Sequence, residues 1–139
     1  MRGDDVKGRQ PSRLITGSHV LTDVPRAPAW LSPAAKAEWR RVAPILVDRG
    51  ILTEADLGTL EGYATAMGRV REAEKTIRAE GSIYIAASGP KRHPAVTLQD
   101  AALKTARLFA NELGLTPVAR SRAIMPGSSD DQDADDLGL

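Results

Sequence analysis

The sequence contains no cysteine, so disulfide bonds, thiolate nucleophiles and cysteine-based zinc sites are excluded. It has no run of about eighteen apolar residues, so no membrane-spanning helix is predicted. The N-terminal residues carry charges but lack the apolar segment that is typical of a secretory signal. We therefore expect a protein of the cytoplasm without a membrane partner.

Large apolar side chains are also scarce. Aromatic residues make up 4% of the 139 residues, and much of the 42% hydrophobic content is alanine, which buries little area. The length predicts one domain, and a domain of this composition often gains further burial by self-association. The aromatic residues are Trp30, Trp39, Tyr63, Tyr84 and Phe109.

The formal net charge of +1 conceals an uneven distribution of charge. Nineteen basic and thirteen acidic residues precede position 127, a net charge of +6, and five aspartates without a basic residue follow it. A basic body favours an anionic partner, although the acidic tail is equally typical of a segment that only aids solubility. Composition predicts a flexible arm over residues 1–27, a helical domain over 28–126 and an acidic disordered tail over 127–139.

The first helix is predicted between Ser32 and Gly50. Ser32 is a good N-cap, Pro33 suits the first helical position, and Gly50 is a typical stop. Pro44 is expected to kink or split this helix because it removes a backbone hydrogen bond. Trp30 is placed to pack onto the start of the helix. The apolar stripe consists of Ala35, Trp39, Val42 and Leu46.

The second helix begins at an approximate capping box, Thr53 with Asp56, and ends at Gly81. One stripe of this helix recurs at alternating spacings of three and four, with the acid Glu74 between Val70 and Ile77. This heptad-like pattern favours packing against a second copy of the chain. The candidate interface residues are Leu60, Tyr63, Met67, Val70 and Ile77, joined by Phe109 from the third helix.

Three glycines lie inside this second helix: Gly58, Gly62 and Gly68. Each costs about 1 kcal/mol relative to alanine in a helix interior. They are either simply tolerated or permit a close approach of another helix.

Residues 82–96 break the helical pattern. The β-propensity of Ile83, Tyr84 and Ile85 and the Ser-Gly-Pro sequence after them predict a short β-hairpin or an ordered loop. A third helix is predicted from about Ala95 to Leu113. Its predicted core face is Leu98, Ala102, Ala106, Phe109 and Leu113, widened by Val96, Leu103 and Ala110.

A compact stop-start signal follows the third helix. Gly114 ends that helix, and Thr116 with Pro117 caps and begins a short fourth one. The predicted fold is therefore all-α, with a helical hairpin core and a short β-hairpin or ordered loop.

No residue pattern supports an enzyme or a cofactor. His19 and His93 have no metal-ligating partner at helical spacing, and the alternating aspartates of the tail lack the glycine and glutamate of a calcium loop. A glycine-rich phosphate loop and a Gly-x-Ser-x-Gly elbow are also missing from the sequence. We predict no catalytic site, no metal and no cofactor.

Basic clusters are the better signal, because Lys and Arg side chains can contact the phosphates of nucleic acid. Each cluster alone is also compatible with an ordinary solvated helix face. A helix-turn-helix formed by the first two helices fits the lengths only loosely. The candidate DNA-binding residues are Lys36, Arg40, Arg41, Lys91, Arg92, Arg120 and Arg122.

An ordered set of motifs over residues 28–123 resembles the small subunit of phage terminases, in the short helical family of tailed phages and prophages. The motifs are a tryptophan before Pro-x-Leu, a Gly-x-Leu-Thr-x-x-Asp corner and a late Gly-Leu-Thr-Pro-x-x-Arg. Here they are Trp39 with Pro44 and Leu46; Gly50, Leu52, Thr53 and Asp56; and Gly114, Leu115, Thr116, Pro117 and Arg120.

This resemblance implies a non-enzymatic protein that forms a ring-like homo-oligomer in the host cell cytoplasm. It implies recognition of viral double-stranded DNA and its delivery to the terminase large subunit, which carries the ATPase and the nuclease. Two other classes stay open: a small dimeric helical DNA-binding transcription regulator, and an adaptor that binds only protein.

Overall fold

The computed structural model describes residues 19–124, and it confirms a mostly helical fold with one small antiparallel hairpin. A 3-10 turn, Glu54–Asp56, leads directly into the longest helix. The elements are α1 (Pro33–Asp48), α2 (Leu57–Glu80), β1 (Ile83–Ala86), β2 (Gly89–Arg92), α3 (Pro94–Glu112) and α4 (Pro117–Ile124).

The start of α1 has the predicted cap. Ser32 Oγ accepts a hydrogen bond from the backbone N–H of Ala35 at 3.2 Å, and Pro33 occupies the first helical position. The split predicted at Pro44 is wrong, because α1 continues through it to Asp48. Pro44 and Arg40 lie on the exposed side of the helix, where water can bond the Arg40 carbonyl that loses its backbone donor.

The ends of α1 and α3 are built in the same way. Gly50 and Gly114 have positive φ values of 66° and 70°, a conformation that favours glycine. After α1, the N–H of Ile51 bonds the carbonyl of Leu46 at 3.2 Å, and the N–H of Leu115 bonds that of Ala110 at 2.9 Å after α3. Both are Schellman caps, so two of the motifs in the sequence are helix stops.

The central helix, α2, packs against both α1 and α3. Two of its glycines lie where another element approaches closely. A Cβ at Gly68 would be 2.9 Å from the backbone N of Ala35 in α1, and one at Gly62 would be 2.7 Å from the ring of Phe109 in α3. Gly58, in contrast, has nothing within 4 Å of that position. Close approach of the α1 backbone therefore accounts for Gly68, and contact with the Phe109 ring accounts for Gly62.

The core lies mainly between α1 and α2. All four residues of the predicted α1 stripe are buried, with Trp39 and Leu46 among the largest fully buried side chains. Alanines supply most of the buried side of α3. The buried core cluster comprises Leu31, Ala35, Trp39, Val42, Ala43, Leu46, Leu52, Leu60, Tyr63, Ala64, Ala66, Ala106 and Leu113.

Residues 19–27, the end of the segment predicted as a flexible arm, lie against this core. The backbone N–H of Leu21 donates to the carbonyl of Leu52 at 2.8 Å, and Val20 forms a β-bridge with Thr53. The indole Nε1 of Trp39 donates to the carbonyl of Pro25 at 2.8 Å. In the described part of the chain, packed structure thus begins before residue 28.

Candidate nucleic-acid interface and an uncovered apolar groove

A buried carboxylate joins α1 to α2. The Glu38 side chain is 0% exposed, and its two oxygens accept hydrogen bonds from three residues. Arg41 donates from Nε at 3.1 Å and also from Nη2. From α2, Tyr63 donates its hydroxyl at 2.9 Å and Arg71 donates from Nη2 at 2.6 Å. This Glu38 cluster ties two helices together and holds two guanidinium groups near each other.

The partners of Glu38 keep it ionised. Burial acts to raise the pKa of its carboxyl, but hydrogen bonds from Arg41 and Tyr63 and the charges of Arg41 and Arg71 outweigh burial and lower that pKa. Burial, with the hydrogen bond to Glu38, raises the pKa of the Tyr63 hydroxyl to about 12. At neutral pH the cluster therefore holds one carboxylate, two guanidinium groups and a neutral phenol, a net charge of +1.

Of the predicted DNA-binding residues, Arg41 alone belongs to this cluster. Successive residues of a helix are about 100° apart around its axis, so Arg40 lies on a different side of α1 from Arg41. Lys36 and Arg40, four residues apart, share that other side. Arg40 is exposed and Lys36 is half-buried.

The remaining predicted cations lie in two separate places, on β2 and on α4. Lys91 and Arg92 are exposed on β2, where Arg92 Nη1 is 3.7 Å from Asp100 Oδ2. Arg120 is on α4, beyond the other end of the nineteen-residue α3, which is about 28 Å long. Its Nη1 donates to the carbonyl of Leu115 at 3.1 Å, so Arg120 covers the chain just after α3. The side chain of Arg122 lies outside the described residues.

A row of cations on α2 was missed by the sequence analysis. Arg71, Lys75 and Arg78 follow one another at spacings of four and three residues, so they lie on one face of the helix. Arg78 Nε is 3.2 Å from Glu74 Oε1 on the same helix. The spacing was available as a signal, whereas the link from Arg71 to Glu38, 33 positions away, has no local signature.

The β-hairpin pairs Ile83 with Arg92 and Ala86 with Gly89. Its base is held by His93, whose Nε2 is 2.6 Å from Glu80 Oε2 and whose backbone N–H bonds the carbonyl of Ser82 at 2.8 Å. Although short, the hairpin exposes the large apolar side chains of β1, namely Ile83, Tyr84 and Ile85.

A groove of about 810 Å³ lies between α2 and α3. Leu98 lines it and is 66% exposed, although it was predicted to face the core of the chain. Trp30 also lines the groove and is 64% exposed, so most of its side chain is left open to solvent. Alanines widen the groove because they fill little space between the helices. They are Ala66, Ala73, Ala95, Ala101 and Ala102.

The candidate interface residues divide into two groups. Leu60 and Tyr63 are buried inside the single chain, so they leave little side-chain surface for a second copy. The remaining four are only partly buried: Met67, Val70, Ile77 and Phe109. Phe109 packs against the core on one side and borders the groove on the other, so part of its ring is left for an intermolecular contact.

Between residues 19 and 124, no three His, Asp or Glu side chains come together to hold a metal ion. In the same span, no helix is long and apolar enough to cross a membrane. The features that stand out in this part of the chain are charged and apolar surfaces on a mostly helical fold.

Residues 35–130 match the family described as phage terminase, small subunit. The match covers more than half of the chain, and the chain therefore belongs to this family. No curated protein and no solved structure matches the chain. Membership places the chain in phage genome packaging, and small terminase subunits are generally non-catalytic regulatory, DNA-binding subunits.

Proposed function

We propose that this chain is the non-enzymatic small subunit of a phage terminase, acting in the host cell cytoplasm. Copies of the chain associate into a homo-oligomeric ring that recognises viral double-stranded DNA. The ring then delivers the DNA to the terminase large subunit and regulates that subunit during packaging. The family match supports the packaging role, and the surfaces of the chain support its two kinds of partner.

The observation that carries self-association is the groove between α2 and α3, which the residues from 19 to 124 leave uncovered. Leu98 and Trp30 are both more than half exposed there, beside a wall of alanines. Contiguous exposed apolar surface of this kind marks a site of protein association. Ile83 and Ile85 of β1 are exposed as well, so the hairpin offers further apolar surface outside the groove. A second copy of the chain would bury surface that the small core leaves open.

The packing of α2 argues against the rival class, a dimeric regulator with a helix-turn-helix. A recognition helix must present one face to the major groove of DNA. In this fold α2 is covered by α1 on one side and α3 on the other, and six of its residues are buried. With α1 and α3 on its two sides, α2 can offer DNA only its remaining open strip, which carries Arg71, Lys75 and Arg78. Such a strip suits contacts to phosphates better than insertion of the helix into the major groove.

Native mass spectrometry tests the proposal, with two leucines of α3 as a matched pair. Leu98 lines the groove, whereas Leu108 is similarly exposed at 61% but does not line it. For the unaltered chain we expect one closed assembly larger than a dimer. Leu98→Glu should shift it to smaller species because it places a charge in the apolar contact, and Leu108→Glu should not.

Three outcomes would contradict this assignment in different ways. A clean dimer of the unaltered chain would favour the transcription regulator, and a monomer would contradict the proposed ring assembly. Equal effects of the two leucine substitutions would mean that the groove is not the interface.

DNA binding is measured in parallel by fluorescence anisotropy at several salt concentrations, because phosphate contacts weaken as salt rises. Salt-sensitive binding is expected, and its absence would favour an adaptor that binds only protein.

A further inference from the structure

The Glu38 cluster differs from a simple ion pair, because two arginines and a tyrosine share one buried carboxylate. A fully buried carboxylate needs compensation by charge and hydrogen bonds, and here four bonds from three residues provide it. Each carboxylate oxygen accepts two of these bonds, so neither has an obvious need for a further donor. The acceptor side of the cluster is therefore saturated.

The donor side is not saturated. A guanidinium group carries five N–H donors. Arg71 gives one of them to Glu38, and Arg41 gives two to Glu38 and one to the Tyr63 hydroxyl at 3.4 Å. The side chains of Arg41 and Arg71 are 57% and 43% exposed, so the remaining donors are accessible from solvent. Lys75, one turn after Arg71, is exposed and has no ion pair among residues 19–124. The surface above the buried carboxylate is thus positively charged.

The two arginines also have a fixed relative position. They come from different helices and bind one carboxylate that cannot move into solvent, so the packing of α1 on α2 sets the separation of their guanidinium groups. The Arg78–Glu74 pair on the same helix differs, because its carboxylate is itself 43% exposed and its arginine is 80% exposed. Preorganised guanidinium groups suit phosphate oxygens, which they bind through paired hydrogen bonds.

We propose that Arg41 and Arg71 form a clamp for the phosphate backbone of DNA and that Glu38 is its positioning residue. This clamp rests on the proposed function, since it assigns DNA contacts to a subunit that recognises DNA. It adds Arg71 and Glu38 to the residues that sequence reasoning offered, and it gives Arg41 a role distinct from that of Arg40. Lys75 extends the same surface along α2.

The test compares Arg71→Gln with Arg78→Gln, which removes the same charge from the same helix. Binding of a 30-base-pair duplex is followed by fluorescence anisotropy over a range of salt concentrations. Arg71→Gln should weaken binding by about tenfold and reduce the salt slope by about one, while Arg78→Gln should cost about twofold at most. Arg71→Lys should weaken binding by about threefold with an unchanged slope, because an ammonium keeps the charge but lacks the fork.

Glu38→Gln provides a readout of opposite sign. Removing a negative charge near DNA should strengthen binding if only the overall field matters. If Glu38 positions the clamp, Glu38→Gln should instead weaken binding by about threefold or more, since an amide accepts fewer hydrogen bonds from the two arginines. The melting temperature and the native mass of each variant are measured to confirm that the fold and the assembly persist.

Each outcome decides between distinct alternatives. Equal losses in Arg71→Gln and Arg78→Gln, or full affinity in Arg71→Lys, would overturn the clamp while leaving the proposed function intact. Tighter binding by a folded Glu38→Gln variant would overturn the positioning role. If Glu38→Gln does not fold, the Arg71 variants alone decide. An unaltered chain that shows no salt-dependent DNA binding would overturn the proposed function and the clamp with it.

Discussion

Substituting alanine for Gly68 should destabilise the protein, although alanine is the better helix former. The added Cβ would lie 2.9 Å from the backbone N of Ala35, 3.0 Å from its Cβ and 3.1 Å from its Cα. Backbone atoms of another helix cannot rotate away as the end of a long side chain can. The same N–H of Ala35 bonds the Ser32 cap, so moving α1 outwards would also disturb its first turn.

The magnitude follows from two opposed effects. Alanine gains about 1 kcal/mol over glycine inside a helix. Overpacking a closely packed contact typically costs about 1–3 kcal/mol. Gly58→Ala supplies the first effect alone, because its added Cβ meets nothing within 4 Å. We therefore expect Gly58→Ala, in the first turn of α2, to be stabilised by less than about 1 kcal/mol. Gly68→Ala should be destabilised by up to about 2 kcal/mol relative to the unaltered chain.

Urea unfolding followed by circular dichroism measures this difference. The unaltered chain, Gly58→Ala and Gly68→Ala are compared at one protein concentration, because self-association adds to apparent stability. A lower urea midpoint for Gly68→Ala than for Gly58→Ala is the expected result. Equal stabilisation of the two variants would refute the reasoning, since it would mean that α1 can move away from α2 without cost.

Two further predictions concern the Glu38 cluster. Because the pKa of Glu38 is lowered in the folded chain, the unfolded chain binds a proton at this carboxyl more readily. The ionised carboxyl therefore stabilises the fold above its unfolded pKa of about 4.3. That stabilisation is lost as the pH falls through the lower folded pKa. Urea midpoints below about pH 5 should therefore fall less steeply for Glu38→Gln than for the unaltered chain, and parallel curves would contradict this. The raised pKa of Tyr63 predicts a phenolate absorbance step near pH 12. Tyr63→Phe should remove that step, and its persistence would assign it elsewhere.

The ends of the helices were predictable because local chemistry determines them. Ser32 with Pro33 begins α1 as expected, and Gly50 and Gly114 end α1 and α3. Each of these signals acts within about one helical turn, so no knowledge of the tertiary fold is needed to interpret it. Pro44 shows where such local reasoning fails, because the cost of a lost hydrogen bond depends on whether water can reach the freed carbonyl.

The candidate site was less accessible from sequence, because it depends on contacts between distant residues. Glu38 follows Lys36 and precedes Arg40 and Arg41, so in sequence it is typical of a solvated helix face. Its burial is decided by the way α1 packs on α2, which brings Arg71 and Tyr63 to it. A buried acid with partners 25 and 33 positions away leaves no periodic trace.

The apolar pattern of α3 has a different lesson. Periodicity correctly identified Ala102 and Ala106 as buried, yet it placed Leu98 on the same face, where the structure leaves it two-thirds exposed. Burial of a leucine is favourable whether its own chain or another chain covers it. A helical apolar pattern therefore predicts that a face is covered, but it does not predict which chain covers it. In this chain the buried side chains of α3 are alanines, whereas Leu98 borders the open groove. That arrangement is expected if the apolar face of α3 serves both a small core and the association surface that we propose.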